Sequence, residues 1–421
     1  MNFKIITVFE HDTLKFDLRD KDSQAQFDSL KKFYGDKGVP FYTIIHNGIK
    51  FNQYVGVIQV GNTLIEVLPK IDKVINENED EKRKWRNILI NMLRVVNNFE
   101  IISTGFSPLR IKPNTILDFY FEMFLREADY LLRTGLAKKY NQIEGNINSF
   151  KGKLQFNKHI QKNYIHKERF YIKQTVYDYS HIFNIIIYKT LILLKIINTN
   201  PNLHNKITAM LLNFPDLPDI KINKSTFENL IFDHKTISYK RAIEIAKLIL
   251  LSYSPDLSKG RNNVLALMFD MNSLWERFIY VSLKKFKDNE TYVEAQKVKN
   301  FWKSVSNKVN IKADLIITKG SNKYVLDTKW KLIKDFRPSP DDLHQMYVYC
   351  EYYGSKLAAL VYPSVETNEF RGNFLPNPNY EFNDRECKII TISIPPEIQD
   401  NSSFRNWQKN IKEIIWKYLQ L

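Results

Sequence analysis

The chain has 421 residues, 44% of them hydrophobic and 14% aromatic; it can build real cores, which excludes global disorder and makes two or three compact units the expectation. Its 62 Lys and Arg against 46 Asp and Glu leave a formal charge of +16. That excess points to a polyanionic partner, since neutralised phosphates release counterions whatever the sequence, although a uniformly Lys-rich solvated surface is the plainer alternative.

In chain order, residues 1–75 read as a β-rich N-terminal domain. Phe41–His46 and Ile49–Tyr54 flank Asn47-Gly48, and Tyr54–Val60 and Thr63–Pro69 flank Gly61-Asn62. Both are two-residue hairpin signals, which together predict a meander whose edges need cover or a partner. A charged stretch, Asn76–Lys84, reads as a loop leading into a helix that carries Trp85, Ile88, Leu89, Met92, Leu93 and Val96. Pro113 suits the first turn of the next helix, with Ile116 to Leu132 on its apolar face and Gly135 as its C-cap. Further helices are expected at Ser180–Ile197 and Ser225–Ser252, so 76–260 is a mostly helical middle region with one extended excursion near Asn146–Phe156. From 261 to 421 the order helix, strands, helix, strand, helix predicts an α/β unit. The whole is a multidomain α+β protein.

Several segments speak to location and partners. Cys350 and Cys387 are the only cysteines, which excludes a disulfide framework or a Cys-based zinc site and suits a reducing cytoplasm. The N-terminus reaches Glu10 before any long apolar run, unlike a signal peptide, and Lys189 and Lys195 break the most apolar helical stretch, so no membrane span is expected. Between Phe150 and Lys173, lysines including Lys151 and Lys153 interleave with Phe150, Phe156, Tyr164, Phe170 and Tyr171. Basic groups could track a nucleic-acid backbone while the rings stack on bases. An amphipathic strand with a wet lysine face and core aromatics is the favoured reading, because strand alternation alone produces the pattern.

The chemistry concentrates in Ile311-Lys-Ala-Asp314-Leu-Ile-Ile-Thr318 and Lys323-Tyr-Val-Leu-Asp327-Thr-Lys329-Trp330. These two β-prone runs enclose residues 319–322, with Gly320 and Asn322, and predict an antiparallel hairpin. With Thr318 facing Lys323, Asp314 lies across from Asp327, and strand alternation brings Lys329 to the same face as Asp327. Two opposed carboxylates call for a proton or a cation. The set suits phosphodiester hydrolysis: Mg²⁺ held by Asp314 and Asp327, with Lys329 as a compact positive charge on the attacking water or phosphate. An ordinary surface hairpin with an Asp–Lys ion pair is the alternative, and the apolar neighbours of Asp327 favour the functional side. Glu276, in a helix expected over Leu265–Phe286, either completes the metal shell or polarises water, or is a plain helix-surface glutamate. Gln345 and Tyr349 fall four apart on a helix over Asp342–Tyr353 and could orient Lys329 or touch phosphate; for Tyr349 alone, mere amphipathicity is the better reading.

Taken together, these residues resemble the PD-(D/E)xK nuclease superfamily, and more closely the McrC family, the nuclease subunit of McrBC-type modification-dependent restriction systems. The resemblance runs through Tyr54-Val-Gly-Val-Ile and Ile65-Glu-Val-Leu-Pro-Lys-Ile71, then Gly135–Tyr140, Phe150-Lys-Gly-Lys153 and Asp178–Asn184. It continues through Phe269-Asp-Met-Asn-Ser-Leu-Trp-Glu276, Asp314, Asp327-Thr-Lys329-Trp-Lys331 and Gln345-Met-Tyr-Val-Tyr349. Ala313 stands where the family usually has proline, a position of strand entry and not of ligation. The resemblance implies a restriction-endonuclease-like C-terminal domain and Mg²⁺-dependent cleavage of double-stranded DNA, of the modified-cytosine kind. It implies catalytic Asp314, Asp327, Lys329, Glu276 and Gln345, with Asp314, Asp327 and Glu276 on the metal and Lys151, Lys153, Lys331 and Tyr349 as DNA contacts. It also implies docking, through the N-terminal domain, onto a hexameric AAA+ GTPase that binds the GTP; this chain has no Gly-x-x-x-x-Gly-Lys-Ser/Thr loop. A non-enzymatic subunit that stimulates such a GTPase, and a stand-alone repair nuclease of the same fold, are the alternatives.

Overall fold

The computed structural model describes residues 4–35, 38–70, 78–96, 115–254, 264–304, 307–333, 336–375, 385–395 and 401–420. Pro113, placed by sequence at a helix start, lies outside them. The architecture is mixed α/β, in two compact units: Lys112–Leu267 with Met1–Phe3, and Lys4–Ile111 with Met268–Leu421.

In the first unit, the helices Ile116–Thr134, Ile182–Ile197, Pro201–Leu212 and Lys240–Ser252 pack on one another. Thr115 caps the first by accepting from the Asp118 amide, and Gly135 ends it at φ 100°. A single helix over Ser225–Ser252 does not form: the chain makes the short helix Lys224–Glu228 and resumes at Lys240. The reason is local: Asn223 caps the start of the first helix, and inside the expected span the Asp233 side chain accepts from the Thr236 amide and forms a separate turn. The extended excursion is also larger than expected. It is a three-stranded antiparallel sheet of Lys139–Ile147, Phe170–Asp178 and Lys153–Leu154, with the helix Phe156–Asn163 against it. The motif Asp178–Asn184 is structural here. Asn184, fully buried, donates to the carbonyls of Ala137 and Tyr179 and accepts from the Tyr239 hydroxyl, which in turn accepts from the Ala137 amide.

The aromatics of this sheet contradict the favoured sequence reading. Tyr171 is buried, but Phe150, Phe156 and Tyr164 are 61%, 68% and 80% exposed. They stand on surface turns and a surface helix, where strand alternation does not govern them.

In the second unit, the N-terminal hairpins do not join into one meander. Tyr42–Ile45 and Gly48–Phe51 pair with each other and with Thr13–Lys15, while Tyr54–Val60 pairs with Thr63–Leu68, which runs parallel to Lys4–Phe9. The turn at Asn47 also differs from expectation: Ile45 pairs with Gly48, so Gly48 is already in the strand and Asn47 alone has positive φ. A Cβ on Gly48 would stand 2.5 Å from the Leu14 carbonyl oxygen, so close strand approach, not turn geometry, demands glycine there. A helix, Lys21–Tyr34, capped by Asp20, lies in the segment read as β-rich. The helix Glu79–Val96 buries the expected stripe and begins inside the stretch read as loop. Its Arg86 clamps the buried Glu66 of the sheet with bonds of 2.8 and 2.5 Å, which accounts for a charge in the middle of Ile65-Glu-Val-Leu.

The C-terminal part of this unit is a six-stranded sheet in the order Thr291–Lys303, Lys308–Lys319, Asn322–Thr328, Leu357–Ser364, Glu386–Ser393, Glu369–Asn373. Pro340–Tyr353 makes the crossover between parallel strands Asn322–Thr328 and Leu357–Ser364. Its Met346, Tyr349, Cys350 and Tyr353 form one core with Ile316, Val325, Ala358 and Leu360. The helix expected over Leu265–Phe286 starts only at Met271, because Asp270 caps it by accepting from Ser273 N; the apolar run before it is the strand Val264–Asp270.

Candidate active site

Pairing in the hairpin keeps the expected register. Thr318 faces Lys323 and Lys319 faces Asn322, so the turn is only Gly320-Ser321, and the ladder runs to Leu315 opposite Leu326. One step further, where the backbones leave the ladder, Asp314 and Asp327 come together. Asp314 Oδ2 accepts from the Thr328 amide at 2.9 Å and the Thr328 hydroxyl at 3.2 Å. Asp327 is 1% exposed. Burial, and then the neighbouring charge of Asp314, push its carboxyl up; burial also raises that of Asp314. Lys329 Nζ lies 2.9 Å from Asp327 Oδ2. That charge-assisted contact is what lowers the Asp327 carboxyl against burial and the Asp314 charge.

Lys329 is steered from the crossover helix. Its ammonium donates to Gln345 Oε1 at 3.2 Å, Gln345 Nε2 donates to the Tyr349 hydroxyl at 2.7 Å, and that hydroxyl donates to the Lys312 carbonyl at 2.6 Å. The chain has one consistent direction. Tyr349 spends its only proton on a carbonyl, so it must accept from the amide nitrogen of Gln345, which leaves the amide oxygen facing the lysine. Burial works against the Lys329 charge, but Asp327, Asp342 and Asp314 outweigh it and raise its pKa. The ammonium form is therefore secure.

The preceding helix contributes through its sequence motif almost residue by residue. Asp270 caps it, Asn272 Oδ1 accepts from the Trp330 amide at 3.1 Å, and the Trp275 and Trp330 rings meet edge to face with centroids 5.4 Å apart. Glu276 is half-buried; burial, then the charge of Asp314, push it up, and Gln296 donates to its Oε1. Lys331 is tied at 2.6 Å to Asp342, in the first turn of the crossover helix. Asp342 also stands 3.9 Å from the Lys329 ammonium.

Five of the expected residues thus meet in one region: Asp314, Asp327, Lys329, Gln345 and Tyr349, with Glu276 within electrostatic reach of Asp314. Lys331 sits at its margin. Lys151 and Lys153 are exposed in the first unit and are described there alone. Among the described residues, no three His, Cys, Asp or Glu side chains gather into a metal cage. Sequence reasoning missed Gln296, Thr328 and Asp342. Gln296 occupies the strand position between the pairs Ala295–Leu315 and Lys297–Ala313, facing Asp314, at φ 57°. A non-glycine residue held there costs about 1–3 kcal/mol, and nothing in the sequence around it signals that.

The family model of the McrBC 5-methylcytosine restriction system component matches residues 49–363, a span that includes all of these site residues. The chain belongs to this family. Its fold is also similar to a chain of the tetradecameric assembly of Thermococcus gammatolerans McrB AAA+ hexamers with bound McrC, with a TM-score of 0.63 and 21% identity, covering 97% of this chain and 100% of that one. A second match, to the cryo-EM structure of the T. gammatolerans McrBC complex, has a TM-score of 0.47 and 20% identity over 68% of this chain and 89% of that one. No protein of curated function matches the chain. Among the described residues, no helix is long and apolar enough to cross a membrane.

Proposed function

We propose that this member of the McrBC family is a Mg²⁺-dependent DNA endonuclease subunit with a PD-(D/E)xK site, acting on double-stranded, modified-cytosine DNA alongside a hexameric AAA+ GTPase. The observation that carries the reading is the pairing of half-buried Asp314 with buried Asp327 beside a lysine that Gln345 and Tyr349 hold in place. A purely structural ion pair would match one carboxylate to one lysine; here a second carboxylate, Asp314, stands beside the first and raises its proton affinity.

The residues fit a hard divalent cation. Asp314 and Asp327 supply oxygen ligands and the Lys329 ammonium already stands where positive charge is wanted. Two carboxylates without a closed cage suit Mg²⁺, which keeps several of its waters. When bound, the ion supplies charge neutralisation at the phosphate and a more acidic water. The protein's own groups do the rest. Lys329, fixed by Gln345, places a full positive charge against a phosphate oxygen where negative charge builds. Glu276, its carboxyl raised and hydrogen-bonded by Gln296, is a base able to take a proton from water on the Asp314 side. Lys331 and Tyr349 follow as residues of the same centre, through Asp342 and Gln345, before any direct role on DNA.

GTP binding stays with the AAA+ partner in this reading. The exposed Phe150, Phe156 and Tyr164, with Lys151 and Lys153 between them in the chain, support a nucleic-acid contact in the first unit as a separate element of the proposal.

The test uses the full chain with its GTPase and methylated duplex DNA. Asp327→Asn and Lys329→Ala should abolish Mg²⁺-dependent cutting while DNA retention persists, and Asp327→Asn should also lose the heat of Mn²⁺ binding in calorimetry. Because Asp327→Asn removes a repulsion, its thermal stability should not fall, and a gain of about 1 kcal/mol is expected. Cutting that survives Asp327→Asn rejects the site.

A further inference from the structure

The hairpin that carries Asp314 runs well past the body of its sheet. Thr291–Lys303 and Lys308–Lys319 stay paired from Thr291 opposite Lys319 out to Lys303 opposite Lys308. Every residue from Gln296 to Lys303 is exposed, and so are Lys308, Val309, Asn310 and Lys312. Between Gln296 and Lys312 the sequence holds Lys297, Lys299, Lys303, Lys308 and Lys312 and no carboxylate. Lys297 is paired with Glu294, and Lys299 donates to the Tyr352 carbonyl. Lys303, Lys308 and Lys312 have no ion-pair partner among the described residues.

Two features oppose reading this arm as inert surface. Lys303 and Lys308 are directly cross-strand, an arrangement that destabilises a hairpin on its own. Next to them, Trp302 and Val309 are paired across the strands and remain 53% and 49% exposed. Lysines that guard a sheet edge against aggregation are ordinary; a facing lysine pair beside an exposed tryptophan works against that purpose. Both features become favourable against a polyanion with apolar sugar surface. Lys308 lies six residues along the strand from Asp314, about 20 Å at ~3.3 Å per residue. That is the axial length of about six base pairs of duplex, and a two-stranded ribbon fits the major groove.

We propose that this ribbon grips duplex DNA beside the cleavage centre, with Lys303, Lys308 and Lys312 on phosphates and Trp302 against the sugar edge of the groove. The inference rests on the nuclease reading and adds the element that holds the substrate.

The experiment measures binding of the full chain to a linear 40-base-pair duplex (a probe length on the order of four helical turns) by fluorescence anisotropy, without divalent ions, over a range of salt. The double variant Lys303→Gln/Lys308→Gln should lower the slope of log affinity against log salt by about 2, since each lost phosphate contact removes ~0.9. Lys303→Arg/Lys308→Arg should retain the slope. With the GTPase and Mg²⁺ present, the Gln variant should raise the DNA concentration needed for half-maximal cutting and keep the maximal rate. An unchanged slope overturns the proposal. So does an unchanged slope with loss of self-association in sedimentation, which would make the ribbon an interface between copies. If Asp327→Asn abolishes cutting while the lysine variant leaves the slope intact, the ribbon proposal falls and the nuclease reading stands.

Discussion

Replacing Glu10 by glutamine should remove a pH dependence of stability that the wild-type protein carries between about pH 4.5 and 7. Glu10 is 1% exposed; its Oε1 accepts from the Lys70 amide at 2.8 Å and from the indole of Trp330, the residue after Lys329, at 2.7 Å. Burial is the main cause that lifts its carboxyl from 4.5 to about 7, with the nearby charge of Asp270 adding to it. Below pH 4.5 the folded and unfolded chains both hold the proton. Between the two values the unfolded chain has released it and the fold has not, so stability falls as pH rises, and above 7 the loss is complete. At ~1.4 kcal/mol per pH unit, the loss is about 3 kcal/mol. Glutamine keeps an oxygen for both hydrogen bonds and does not titrate. Urea midpoints at a series of pH values, compared between wild type and Glu10→Gln, isolate this group, because every other titration is common to both proteins. Parallel profiles would refute the argument.

Two further outcomes follow from single contacts. Tyr349→Phe deletes the hydroxyl that orients Gln345; a neutral hydrogen bond is worth about 1–1.5 kcal/mol, so maximal cutting should fall roughly 10-fold with half-saturation by DNA unchanged, and a change confined to half-saturation would instead make Tyr349 a DNA contact. Gly48→Ala places a methyl 2.5 Å from the Leu14 carbonyl oxygen, so overpacking should cost about 1–3 kcal/mol in urea unfolding, and a neutral result would show that Thr13–Lys15 can move away freely.

How far the sequence carries depends on whether the governing interaction is local. The register that sets Asp314 against Asp327 is local: a two-residue turn with Gly320 at φ 58° fixes every pair behind it. So are the four-residue spacing of Gln345 and Tyr349 and the stripe of Glu79–Val96. The separation of the N-terminal hairpins into two sheets is not local, because it depends on strands Lys4–Phe9 and Thr13–Lys15 arriving from elsewhere in the chain. Nor does anything between Val264 and Phe269 distinguish a buried strand from the start of a helix; only Asp270, an N-cap residue, marks the boundary. Glu10 was visible merely as an acid reached before any long apolar run, and its bond to Trp330 spans 320 positions. The exposed Phe150, Phe156 and Tyr164 show the opposite failure, where a periodic pattern suggested burial on elements that are not strands.

The geometry of the centre follows from where the ladder stops. Within a regular antiparallel pair, opposed aspartates would be kept at strand spacing by the hydrogen bonds around them. Here Leu315 opposite Leu326 is the last pair, and the Thr328 amide, no longer bonded across the ladder, turns to the Asp314 carboxylate at 2.9 Å. Beyond it, the Lys329 amide bonds to Val361 on the neighbouring parallel strand and the Trp330 amide to Asn272. Successive amides of one short segment therefore point to three different elements, and this divergence leaves Asp327 and the Lys329 ammonium together at the opening. The aliphatic core of Ile316, Val325 and Leu360 beneath it fixes that divergence. A hydrophobic core thus bears the cost of a buried carboxylate set against a half-buried one, which by themselves would push the strands apart.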